Sequence, residues 1–172
     1  ISHLYSVTTE FSSNILKGFG IAPWRIHQTG LLGYDNLSKL VLPSPEDILN
    51  GFEFKLDKPL ILATFHPIPR DLGLTQEEAE NFFAALSTAS NYANIIITAP
   101  NHDGGRLEIL KLIDQCINNS SIVFVESLGA NRYYSLMSYS KSVPVVVAGN
   151  SSSIIKEAPF FNAHSLNVGI RQ

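Results

Sequence analysis

The sequence has little cysteine and little charge. One cysteine in 172 residues cannot form an internal disulfide, so no cystine framework holds this fold. That single thiol, Cys116 in an apolar helical run, fits a reducing compartment such as the cytoplasm. Only 16% of residues are charged, and the net charge of −3 offers no basic field for nucleic acid or an anionic membrane. Any anionic ligand must then be held by local donors. No apolar run reaches the ~20 residues that a membrane span needs. The start lacks the charged and apolar regions of a secretory leader. No internal repeat or low-complexity tract interrupts the chain. What remains is a 45% hydrophobic chain, long enough to bury a sizeable core and to form one domain.

Apolar runs alternate with helical patterns. Strands are expected at residues 3–7, 24–29, 59–65, 94–98, 121–125, 143–148 and 164–168. Several are continuous apolar runs, the mark of strands covered on both faces. Thr75 and Glu78 read as a capping box opening a helix toward Ser90. Ser44-Pro45-Glu46-Asp47 reads as a cap, a first-turn proline and first-turn acids. Residues 131–141 form an aromatic-rich helix, with Tyr133, Tyr134, Leu136, Met137 and Tyr139 mostly in the core. Pro159 is expected to end a helix that starts at Ser152. This alternation predicts an α/β fold: a Rossmann-like, mainly parallel sheet with helices on both faces, in a single lobe over residues 1–172.

Sheets of that kind bind ligands beyond the carboxyl ends of their strands. Four segments follow expected strands directly and gather on that rim. His66, in Thr64-Phe65-His66-Pro67, is held extended by Pro67 and points toward the crevice. It is suited to donate to a phosphate oxygen or to move a proton, although a surface loop histidine would read the same way. Asn101 and Asp103 lie in a turn whose Gly104 and Gly105 permit close backbone approach to a ligand; an ordinary loop and cap is the alternative, and Arg106 is either a phosphate contact or solvated. Ser127-Leu128-Gly129 precedes Tyr133, whose ring serves a ligand or the core equally well. The richest segment is Gly149-Asn150-Ser151-Ser152-Ser153, with Glu157 after it and Arg171 one strand later. Hydroxyls and free N–H groups at a helix start make an anion cradle, and Glu157 is placed to accept from a ribose diol. A plain helix cap with a solvent-facing Glu157 is the alternative. Of the other histidines, His102 reads as a spectator in its loop. His3, His27 and His164 read as strand residues. No spacing among the five histidines and Cys116 suggests a metal site.

These segments together resemble the hydrolysing UDP-N-acetylglucosamine 2-epimerases. The resemblance runs in order through Thr64-Phe65-His66-Pro67, Pro100 to Gly105, Ser127-Leu128-Gly129 with Tyr133, Gly149 to Ser153 with Glu157, and Asn167 to Gln172. It implies one lobe of a two-lobed glycosyltransferase-B-type enzyme, trimmed at both ends, with Ile1 near the junction of the lobes. It assigns His66 to catalysis. It assigns Asn101, Asp103, Leu128, Gly129, Tyr133, Asn150, Ser151, Ser152, Glu157 and Arg171 to substrate binding. Ala99 departs from the tyrosine common in the family at that place. The implied reaction eliminates UDP across C1–C2 of a 2-acetamido sugar and adds water with inversion at C2, without metal or other cofactor. The implied partners are the UDP-sugar, an N-terminal lobe that supplies the carboxylates for the C2 proton, and further copies in a homo-oligomer. This chain alone is expected to be inactive. Asn150-Ser151-Ser152-Ser153 is closer to the hydrolysing branch than to the non-hydrolysing one. A UDP-sugar glycosyltransferase of the same fold and a non-catalytic nucleotide-sugar module stay open.

Overall fold

The computed structural model describes residues 2–68, 72–117 and 120–172. The chain divides into two compact units, Ile1–Val41 and Leu42–Gln172, where the sequence reads as one lobe.

The first unit pairs two short parallel strands, β1 (Tyr5–Val7) and β2 (Ile26–Gln28). Between them runs α1 (Glu10–Gly18), whose cap Thr9 accepts the Ser12 N–H at 3.1 Å. β2 is shorter than expected because Pro23–Arg25 turns as a 3-10 helix. Arg25 is drawn back to accepting carbonyls of Ser2 and His3, both at 2.6 Å. A short helix, α2 (Gly33–Leu37), follows.

In the second unit, the apolar runs become five parallel strands: β3 (Leu60–Thr64), β4 (Asn94–Thr98), β5 (Ile122–Val125), β6 (Val145–Gly149) and β7 (His164–Asn167). Their spatial order is β5-β4-β3-β6-β7. The chain builds outward from β3 to β5, then crosses back to lay β6 on the other side of β3. The junction of β3 and β6 is therefore the topological switch point.

Period-2 alternation sends side chains to two cores. Leu60, Leu62, Ile96, Val145 and Val147 face one side, with α3 (Pro45–Asn50) and α6 (Gly129–Ser138) packed there. Ala63, Ile95, Ile97 and Ala148 face the other, against α4 (Leu72–Ala89) and α5 (Arg106–Cys116). Full burial of each of these branched side chains stabilises by about 1.5–3 kcal/mol before entropy is counted. The parallel Rossmann-like sheet with helices on both faces, expected from the sequence, is what forms. No helix among the described residues is long and apolar enough to cross a membrane.

Helix starts depart from expectation in two places. Ser44 does cap α3, accepting the Asp47 N–H at 3.2 Å. Thr75 does not cap α4, because the helix already begins at Leu72. The buried Thr75 hydroxyl instead accepts the Ile68 N–H at 3.1 Å, satisfying the loop that leaves β3. After β6, the helix α7 (Ser153–Lys156) is a single turn. It ends before Pro159, which lies in a separate 3-10 turn, Ala158–Phe161. Glu157 is thus the residue that closes α7, not one embedded in a longer helix.

Gly149 is the tightest point in the sheet. Its φ is +124°, and a Cβ there would lie 1.9 Å from the Thr64 carbonyl oxygen. Only glycine lets β6 run this close to the end of β3 while turning toward the serines.

Candidate nucleotide-binding site

The carboxyl ends of β3, β4, β5 and β6 surround a cleft of about 420 Å³. From β3 come Thr64 and His66, and from β4 Thr98 and Ala99. The β5–α6 loop gives Glu126, Ser127, Leu128 and Gly129, and α6 itself gives Tyr133 and Tyr134. The turn after β6 gives Ser151, Ser152 and Ser153, and Glu157 closes the wall. The parallel register makes this convergence. Thr64 pairs with Thr98 on one side and with Gly149 on the other, so the chain leaves all three strands at one level.

Of the residues singled out in the sequence, His66, Leu128, Gly129, Tyr133, Ser151, Ser152 and Glu157 line the cleft. Asn101, Asp103, Asn150 and Arg171 do not line it; hydrogen bonds and charge tie them to His66. Asn150 is fully buried, and its amide clasps one residue. Its Oδ1 accepts the His66 N–H at 2.6 Å, and its Nδ2 donates to the His66 carbonyl at 2.8 Å. Both ends of its amide are therefore engaged by the His66 backbone. Its own carbonyl accepts from Arg171 Nη1 at 2.8 Å and from Gln172 Nε2 at 3.2 Å. Asn101 donates its N–H to His66 Nδ1 at 3.0 Å, and its side chain donates to the Asp103 carboxylate at 2.5 Å.

That shell fixes the state of the imidazole. The His66 pKa is lowered to about 4, first by burial and then by the Arg171 charge, partly offset by Asp103. At neutral pH the ring is uncharged. Because Nδ1 accepts the Asn101 N–H, the ring proton sits on Nε2. The ring can therefore act as a neutral hydrogen-bond donor through Nε2.

Glu157 is only partly exposed, and burial raises its pKa. Its Oε2 is buried with no hydrogen-bond partner. An orphaned acceptor costs about 1–3 kcal/mol, and a ligand hydroxyl would relieve it. Tyr133 is more deeply buried, and burial raises its phenol pKa. Tyr134 stacks on Phe161, with ring centroids 5.6 Å apart. Arg106 neither reaches the cleft nor is left to solvent. It pairs with Glu126 at 2.5 Å and donates to the Pro100 carbonyl at 2.9 Å, bracing the wall. Gly129 adopts φ +66° and donates its N–H to Ser127 Oγ at 3.1 Å. No cluster of three metal-ligating side chains occurs among the described residues.

Thr64, Thr98, Ser153 and Tyr134 also line the cleft. Ser153 belongs to the serine turn that the sequence places on this rim. Sequence reasoning did not assign Thr64 and Thr98 there, because a threonine ending a strand reads as an ordinary β-former, and Tyr134 reads as core.

The whole chain, residues 1–172, matches the family described as UDP-N-acetylglucosamine 2-epimerase. A GDP/UDP-N,N'-diacetylbacillosamine 2-epimerase (hydrolyzing) of Campylobacter jejuni is 33% identical over 100% of this chain. A UDP-N,N'-diacetylbacillosamine 2-epimerase (hydrolyzing) of Legionella pneumophila is 30% identical over the same share. In both cases the chain spans only 44% of the relative's length. A solved structure described as an S. aureus MnaA-UDP co-structure superposes with a TM-score of 0.73. It is 20% identical and covers 98% of this chain, which covers 44% of it, so this likeness speaks for the fold. With the match extending from the first residue to the last, the chain belongs to the UDP-N-acetylglucosamine 2-epimerase family.

Proposed function

We propose that this cleft holds the UDP portion of a UDP-2-acetamido sugar. In that reading the chain is the nucleotide-binding part of a hydrolysing 2-epimerase of the two-lobed glycosyltransferase-B type. The observation that carries it is the pairing of donors and acceptor across one cleft. Serine hydroxyls and the His66 Nε2–H face a diphosphate, while the unpartnered Glu157 Oε2 faces a diol. Ser151 and Ser152 take the diphosphate and Glu157 takes the ribose. Leu128 and Gly129 border the base. Asn101, Asp103, Asn150 and Arg171 hold His66 in place.

The reaction breaks C1–O of the sugar as a base removes the C2 proton, giving a glycal and UDP. Water then adds across the double bond with the opposite configuration at C2. Negative charge grows on the departing UDP, and preorganised donors stabilise it there. An incoming phosphoanion raises the His66 pKa from its low value, so the ring is drawn toward protonation as the leaving group forms. No carboxylate in the cleft is placed as a C2 base in this scheme, since Glu157 serves the ribose and Glu126 is paired with Arg106. The base belongs to a further lobe. A cytoplasmic, homo-oligomeric parent protein is part of the same reading. The names of the relatives favour the hydrolysing branch and bring a 2,4-diacetamido sugar among the substrates to test.

The test is to incubate the full-length protein with UDP-N-acetylglucosamine or UDP-N,N'-diacetylbacillosamine in heavy water, without an acceptor. Release of UDP with a free 2-epimeric sugar carrying deuterium at C2 supports the reading. Turnover only when a sugar acceptor is added would mark a glycosyltransferase instead.

A further inference from the structure

Three hydroxyls run along the wall of the cleft in an unbroken line, from Tyr133 through Ser153 to Ser151. A threonine pair lies on the same wall, Thr98 Oγ1 at 2.5 Å from Thr64 Oγ1. Tyr133 Oη lies 3.1 Å from Ser153 Oγ, and Ser153 Oγ donates to Ser151 Oγ at 3.2 Å. The threonines close β3 and β4 opposite one another, the tyrosine comes from α6, and the serines come from the turn after β6.

The direction of this line follows from counting hydrogens. Each hydroxyl has one hydrogen to give and two lone pairs. Ser151 Oγ accepts from Ser153 Oγ and also from the Ser153 N–H at 3.4 Å, so its own hydrogen is not used within the line. Ser153 has given its hydrogen to Ser151 and must accept from Tyr133. That assignment suits the chemistry, because a phenol is more acidic than an alcohol and donates better. Both bonds therefore point one way and end at the Ser151 O–H. Hydroxyls aligned in series polarise one another, which strengthens the terminal donor.

We propose that Tyr133 is a positioning residue whose directed hydroxyl line, through Ser153, aims the Ser151 O–H into the cleft as a donor to a phosphoanion oxygen. The proposal rests on the nucleoside-diphosphate reading of the cleft and assigns the Tyr133 hydroxyl to its phosphate end. It also gives a selectivity. The line presents a hydrogen and not a lone pair, so its effect scales with phosphate charge and does not reach the nucleoside.

The test uses calorimetry on the full-length protein with UDP, uridine and inorganic pyrophosphate as probes. Tyr133→Phe keeps the ring and removes the link. It should weaken UDP and pyrophosphate by about tenfold, the scale of a hydrogen bond to a charged group, while uridine affinity stays unchanged. Ser153→Ala, which removes the middle of the line, should show the same pattern and serves if the tyrosine variant misfolds. Tyr133→Phe combined with Ser151→Ala should bind UDP no more weakly than Ser151→Ala alone. Equal losses for uridine and UDP, or additive losses in the double variant, would overturn the proposal. Wild-type binding of pyrophosphate without UDP would remove the nucleotide reading and leave the hydroxyl line standing. Binding of neither would remove both.

Discussion

Replacing Glu157 should move stability and affinity in opposite directions. In the ligand-free cleft, Glu157 Oε2 is buried without a partner, and burial raises the pKa of the group. A carboxylate in that position is a cost to the folded state. Glu157→Ala removes an unsatisfied acceptor worth about 1–3 kcal/mol, against the smaller packing lost from a half-buried side chain. The ligand-free protein should therefore unfold at higher denaturant concentration than the wild type. Because the folded pKa is raised, the carboxylate's penalty is absent at low pH, where it is protonated folded and unfolded. It grows as pH rises above the ordinary value of 4.5. The stability gain of the variant should follow the same window. UDP affinity should fall by about 1–3 kcal/mol, roughly 5- to 150-fold, because the ribose loses hydrogen bonds to a charged acceptor. Urea unfolding and calorimetric titration of UDP read the two effects separately. A deoxyribose analogue should bind the wild type less well than UDP but bind the variant about equally. Unchanged UDP affinity, or a variant less stable than wild type at neutral pH, would refute the placement of this carboxylate opposite the ribose.

His66→Ala in the full-length protein should lower turnover by roughly 10²-fold if the ring acts in proton transfer; near-normal turnover with the fold intact would remove that role. UDP binding between the ordinary histidine pKa of 6.5 and about 4 should be accompanied by proton uptake, because the anion raises the depressed His66 pKa. Binding enthalpies measured in buffers of different ionisation enthalpy would reveal this uptake, and it should vanish in His66→Asn. Asn150→Ala should destabilise the fold by about 2–5 kcal/mol by leaving the His66 N–H and carbonyl unpaired. Asn150→Asp, which keeps the acceptor for the His66 N–H, should lose less in urea unfolding. Gly149→Ala should destabilise by upwards of about 3 kcal/mol, since its Cβ would meet the Thr64 carbonyl oxygen at 1.9 Å.

The sheet was legible because its signal is local. Runs such as Leu60 to Phe65 and Val145 to Ala148 are covered on both faces, and continuous apolar residues mark such strands wherever they pack. The rim was legible for the same reason, because His66, Ser127 and Ser151 sit directly after strands whose carboxyl ends share one level. The roles of polar side chains were not legible where the partner is distant in sequence. The Asn150 amide and the His66 backbone are 84 residues apart, and no local pattern distinguishes a clamp from a ligand contact. Arg106 and Glu126 brace one another across 20 residues. Thr75 looked like a cap because a Ser/Thr followed three residues later by Glu is one, until a loop N–H at Ile68 takes the hydroxyl. Thr64 and Thr98 looked like strand residues, which they are. Their hydroxyls meet only because the parallel register sets them side by side.

The most direct test of the account is a structure of the full-length protein with UDP bound. The account predicts a diphosphate oxygen within hydrogen-bonding distance of Ser151 Oγ and His66 Nε2, with the ribose diol on Glu157 and the base beside Leu128 and Gly129. UDP bound away from the carboxyl ends of β3 and β6, or in this cleft with its phosphates turned from the serines, would contradict it.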